Sequence, residues 1–121
     1  MEKEKLPSEH LEQVRLVSWM RKTYPQHRIF AVANGGLRTA STAMNLTAEG
    51  VTRGIPDIQI PSLKLFIEMK RQKGGVVSPE QKDWIEYLNS IGYNAVICKG
   101  FEAAKLEVLK AVEVDNLTIY K

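Results

Sequence analysis

Cysteine is almost missing from this chain of 121 residues, which holds one, Cys98. A disulfide framework is therefore impossible, and a zinc site built on cysteines has no set of ligands to draw on. Cys98 closes the apolar run Ala95, Val96, Ile97, Cys98, where a thiol behaves as a small buried hydrophobe. Histidine is scarce too: His10 and His27 have no partner at metal-ligand spacing, and neither reads as a general base. Long apolar runs are absent. The charge-free interval at residues 39–48 is about half of what a membrane-spanning helix needs. Glu2, Lys3, Glu4 and Lys5 have no apolar stretch behind them, which predicts no secretory signal and a cytoplasmic protein. Nor does one sign of charge dominate. Seventeen Lys and Arg against fourteen Asp and Glu leave +3, a mixed surface that permits a polyanionic partner without demanding one.

What is present is 44% hydrophobic and 26% charged, enough for one compact domain over residues 1–121 with its core at about 8–112. Ser8 is a fair N-cap for a helix over 9–22, free of Gly and Pro. Residues 28–33 read as a short strand closed by the turn signal Asn34, Gly35, Gly36, and 39–49 as a second helix stopped by Gly50. Residues 57–60 and 63–70 look like adjacent strands joined by a tight turn at Pro61 and Ser62. Ser78, Pro79, Glu80, Gln81 has the form of a helix opening, with Ser at the N-cap, Pro at the first position and Gln at the third. That helix is expected to end near Gly92, followed by a strand at 93–99, a helix at 101–112 and a last short strand at 116–120. This order predicts an α/β fold: a mixed sheet of about four strands flanked by helices. There is no internal repeat, low-complexity segment or dividing linker.

The chemistry concentrates on the two central strands. Side chains alternate along a strand, so Glu68 and Lys70 share one face about 7 Å apart, with Ile67 and Met69 on the other. Pairing of the two strands as a hairpin brings Asp57 towards Glu68. Close carboxylates repel unless they share a proton or bind a cation, and such oxygen ligands suit Mg²⁺ or Mn²⁺. The plainer alternative is an ordinary Glu68–Lys70 ion pair on a solvated sheet face.

Gly54, Ile55, Pro56, Asp57, a spacer of ten residues, then Glu68, Met69, Lys70 resembles the signature of the PD-(D/E)XK nuclease superfamily. More narrowly, the chain is similar to the VRR-NUC family in its small stand-alone form from phages and bacteria. The supporting blocks are Ser8 and Glu9 with Gln13 and Trp19; Asn34, Gly35, Gly36; Ala48 to Val51; Phe66 to Lys70; and Ser78 to Gln81 with Trp84. The resemblance implies a restriction-endonuclease-like core, a divalent metal, Mg²⁺ or Mn²⁺, and hydrolysis of DNA phosphodiester bonds. It further implies a structure-selective endonuclease, similar to Holliday-junction resolvases, acting as a homodimer on branched DNA or four-way junctions.

By the same resemblance Asp57 and Glu68 would be metal ligands, the Met69 main-chain carbonyl a further ligand, and Lys70 the catalytic lysine. The family also places an acid on the first helix, matched here by Glu9, which shares a stripe with Gln13, Leu16 and Met20; Glu12 lies towards the inward side as well. Gln81 matches a family position at the site, although a Gln facing Ser78 is also what a capping box uses. Arg53 and Arg71 flank the motif and are expected on phosphates. Trp19, Trp84, Tyr87 and Phe101 lie on periodic helix faces and are expected in the core. Gly74 and Gly75 lack a Walker pattern, so no nucleotide cofactor is expected. A catalytically silent nuclease fold that binds branched DNA or a protein partner is the competing function. A purely structural dimerisation domain leaves the Asp57, Glu68, Lys70 trio unexplained.

Overall fold

The computed structural model describes residues 5–32 and 40–119. The elements run α1 (Glu9–Thr23), β1 (Phe30–Ala31), α2 (Ala40–Ala48), β2 (Ile58–Ile60), β3 (Leu65–Lys70), α3 (Pro79–Ser90), β4 (Asn94–Lys99) and α4 (Phe101–Ile119). The four strands form one sheet in the order β1-β2-β3-β4, antiparallel except for the parallel β3–β4 pair. This is the mixed, helix-flanked α/β sheet expected from the order of elements.

β2 and β3 pair with Ile58 opposite Ile67 and Ile60 opposite Leu65. Pro61–Leu63 forms a single 3₁₀ turn, and Lys64 closes it in the left-handed region at φ 52°. The strand therefore starts at Leu65 rather than at residue 63. Alternation then sorts the two strands: Ile58, Ile60, Leu65, Ile67 and Met69 enter the core, and Phe66, Glu68 and Lys70 take the other face. Leu16 and Met20 from α1, and Ala104, Val108 and Val112 from α4, close that core against the sheet. Cys98 lies in it as expected, and burial pushes its thiol up to about 12, so it stays neutral.

At the edge of β4, Asn89 stands in for a missing strand. Its side-chain amide donates to the Ala95 carbonyl (3.0 Å) and its carbonyl accepts from the Ala95 amide (2.8 Å). At the opposite edge β1 is shorter than the segment 28–33. Ala33, Asn34, Gly35, Gly36, Arg38 and Thr39 fall outside the described residues.

Two expectations are corrected. Residues 116–119 are helical, not a strand, because α4 continues through Ile119. Neither Gly nor Pro occurs after Gly100 to interrupt the i→i−4 ladder. The strand preference of Thr118 and Ile119 is worth only a few tenths of a kcal/mol per residue against that continuity. Tyr87 is not a core residue. It is 52% exposed and stacks edge-on against Trp84 at 5.5 Å, whereas Trp19 packs between Tyr24 and Phe101.

Candidate metal centre

One step beyond Ile58 and Ile67 along the antiparallel ladder, Asp57 stands across from Glu68. The Met69 amide donates to Asp57 Oδ2 at 3.1 Å, fixing that carboxylate over the end of β3. Glu68 is 2% exposed, and its Oε1 is buried without a hydrogen-bond partner among the described residues. Lys70, also buried, holds its ammonium 3.7 Å from Glu68 Oε2. Gly75 lies directly against Lys70: a Cβ added there would sit 3.3 Å from the lysine Cβ. Gly75 thus lies over the lysine stem, while Gly74 lies against the Arg71 guanidinium.

The third acid comes from α1. Ser8 caps the helix by accepting from the Leu11 amide, and Glu9 begins it. Carboxylate oxygens of Glu9, Asp57 and Glu68 all lie within 4.8 Å of one another. The two acids left open by the sequence are thereby separated in role. Glu9 is exposed and joins the cluster. Glu12 is buried in the stripe with Leu16 and Met20, where it accepts from the Gln72 side chain at 3.0 Å and lies 4.0 Å from Arg15.

Burial pushes the Glu68 carboxyl up to about 9, and the neighbouring Asp57 adds to the shift, which Lys70 partly offsets. In the absence of a cation this group therefore keeps its proton at neutral pH. A buried carboxylate oxygen with no donor, beside two further carboxylates, is a donor set that a hard divalent cation satisfies, so the residues fit such an ion.

A model of the VRR-NUC domain matches residues 2–102. The chain belongs to the VRR-NUC family. A solved structure described as a "VRR_NUC domain protein" has the same fold, with a TM-score of 0.77 at 24% identity over 91% of this chain and 92% of the other. None of the curated proteins matches the sequence. The VRR-NUC domain is a nuclease-type fold, and nuclease domains of this kind bind DNA and use divalent metal. Among the described residues no helix is long and apolar enough to cross a membrane.

The remaining motif residues of this VRR-NUC chain are placed as follows. Pro56 is buried beside Asp57, and Arg53 is exposed on the turn before it. Gly54 in that turn adopts φ +89° and lies so close to α3 that a Cβ would meet the Glu80 backbone at 2.6 Å. Arg71 is exposed and donates to the Gly74 carbonyl at 2.8 Å. Gln81 completes the capping box, its Oε1 accepting from the Ser78 amide (2.9 Å) while its own amide donates to Ser78 Oγ (3.1 Å). Its side-chain NH₂ has no partner among the described residues. Sequence reasoning missed the Glu12–Gln72 bond, which ties α1 to the end of β3. A Gln two residues after the lysine carries no signal without the tertiary approach of Gly100, whose added Cβ would lie 2.7 Å from Glu12 Oε2.

Proposed function

We propose that this protein is a divalent-metal-dependent DNA endonuclease. It hydrolyses phosphodiester bonds and, as a homodimer, selects branched DNA such as a four-way junction. The observation that carries this reading is the convergence of Glu9, Asp57 and Glu68 within 4.8 Å, with the Glu68 oxygen buried and lacking a donor and Lys70 at 3.7 Å. Glu9, Asp57, Glu68 and the Met69 main-chain carbonyl would hold Mg²⁺ or Mn²⁺. When bound, such an ion polarises a phosphodiester oxygen and lowers the pKa of water, supplying a nucleophile near neutral pH.

The chain's own residues do the rest. Asp57, pinned by the Met69 amide, presents its carboxylate without rearrangement. Lys70 is too enclosed to wander, so its ammonium acts as a fixed point charge that orients the attacking water or the scissile phosphate. Gln81 keeps its carbonyl in the helix cap, and its NH₂, which has no partner among the described residues, would donate to a phosphate oxygen. Arg53 and Arg71 hold the flanking backbone. A two-fold dimer places two such centres on a symmetric junction and enlarges the DNA-contacting surface of a small chain.

The test is cleavage of a labelled four-way junction, a splayed arm and a plain duplex in Mg²⁺, Mn²⁺ or EDTA, with wild type beside Glu68→Ala. Metal-dependent cutting that vanishes in the variant is expected, with paired symmetric nicks on the junction. Tight, salt-sensitive junction binding without cutting in either metal would replace this reading with the silent binding module.

A further inference from the structure

Beside the metal centre lies a second concavity that the catalytic trio does not use. It has a volume of about 270 Å³ and is lined by Lys5, Leu6, Pro7 and Ser8 on one wall and Arg71, Gln72 and Lys73 on the other. Three of the lining residues are cationic and none is acidic. Each wall leads directly into the centre: Ser8 precedes Glu9, and Arg71 follows Lys70.

The second wall is braced. Arg71 is held by its bond to the Gly74 carbonyl, and Gln72 by its bond to the buried Glu12. An arginine keeps further donors after one hydrogen bond, so the brace orients the guanidinium without exhausting it. Lys5 and Lys73 are exposed and have no acidic partner among the described residues. Three cations around a concavity next to three carboxylates separate the charge sharply. The carboxylates suit a metal ion, and the basic pocket suits an anion held close by it.

We propose that this pocket seats one backbone phosphodiester of the strand being cut, adjacent to the scissile phosphate. The proposal rests on the nuclease reading and adds the place where the substrate strand is gripped. Lys5 and Lys73 supply the charge, and Arg71 supplies directed N–H donors. A seated neighbouring phosphate fixes the strand's register over Glu9, Asp57 and Glu68, so the pocket acts on positioning.

The experiment measures binding of a fluorescent DNA junction in EDTA, across a NaCl series, for wild type, Lys5→Ala/Lys73→Ala, Lys5→Gln/Lys73→Gln and a Lys110→Ala control. Both double variants should bind roughly five- to twentyfold more weakly at 0.1 M salt, with the log–log salt slope reduced by about 1. The control should match wild type. A series of junctions, each carrying one neutral methylphosphonate near the cut, then locates the contact. Wild type should lose affinity at one position next to the scissile phosphate, and the double variants should be indifferent there. Thermal midpoints with and without Mn²⁺ should be the same in all four proteins, because the altered side chains are exposed and outside the metal centre. Wild type that cuts DNA with Mn²⁺, beside double variants with unchanged affinity, slope and methylphosphonate pattern, would overturn the pocket and leave the nuclease reading standing. Wild type that neither binds nor cuts DNA would overturn both.

Discussion

Glu68 is the residue on which the electrostatics of the centre turn. Buried next to Asp57, it keeps a proton up to about 9 in the metal-free protein, while the unfolded chain releases it near the ordinary carboxylate value of 4.5. The folded state therefore binds more protons over that interval. The contribution of this group to stability is complete below about 4.5 and is lost as pH rises towards about 9. A divalent ion that takes the proton's place reverses the loss. The Mn²⁺-induced rise in Tm should accordingly grow between pH 5 and pH 9, as followed by thermal denaturation with Mn²⁺ or EDTA. Glu68→Gln, which keeps the shape and removes the titration, should flatten that dependence and raise the Tm of the metal-free protein at pH 8. An unchanged pH profile in the variant would mean that Glu68 is not the group involved. For catalysis, Asp57→Ala and Glu68→Ala should abolish cleavage and preserve DNA binding, since each removes a ligand to the metal and not a contact to the DNA backbone. Lys70→Ala should retain Mn²⁺ binding and lose roughly 10²- to 10³-fold in cleavage rate, the loss typical of a preorganised electrostatic group. A Lys70→Ala protein that fails to fold would show the lysine to be structural.

At the scale of elements, the centre depends on how the loop over residues 51–56 and the opening of α3 are held together. Gly54 is the contact point, and its positive φ and its 2.6 Å approach to the Glu80 backbone both exclude a side chain. Gly54→Ala should destabilise the protein by about 1–3 kcal/mol, measured by chemical denaturation, and lower activity because the displaced loop leads directly into Asp57. Ser78→Ala removes half of the capping box and should cost about 1 kcal/mol, with α3 fraying at its start in hydrogen exchange. Gly75 is a milder case: an alanine there meets Lys70 at 3.3 Å, so the lysine must shift by a few tenths of an ångström. Its effect should fall on cleavage rate more than on stability.

At the scale of the whole molecule, the expected state is a two-fold dimer with two metal centres. Light scattering at assay concentration should report twice the chain mass of 13.7 kDa, and junction cuts should occur in symmetric pairs. A monomer by light scattering, with junction cutting intact, would refute the two-site model while leaving the chemistry of each centre untouched.

Local chemistry made much of this protein legible in its sequence. The helix opening at Ser78 to Gln81 was readable because a capping box is a contact between neighbours in the chain, and the β2–β3 hairpin because alternating apolar residues flank a turn at Pro61. The opposition of Asp57 and Glu68 follows from that hairpin, since pairing fixes which residues face each other. Where the C-terminal segment ended was less legible: a few β-branched residues suggested a strand, but continuity of the α4 ladder outweighed them. Tertiary structure alone chose between Glu9 and Glu12, which lie one helical turn apart and differ only in what approaches them. Gly100 and Gln72 close over Glu12, while Glu9 reaches the sheet acids. The same holds for the raised pKa of Glu68 and the basic pocket beside it. Desolvation and the meeting of residues 5–8 with 71–73 are properties of packing between distant segments, which no local pattern in the chain encodes.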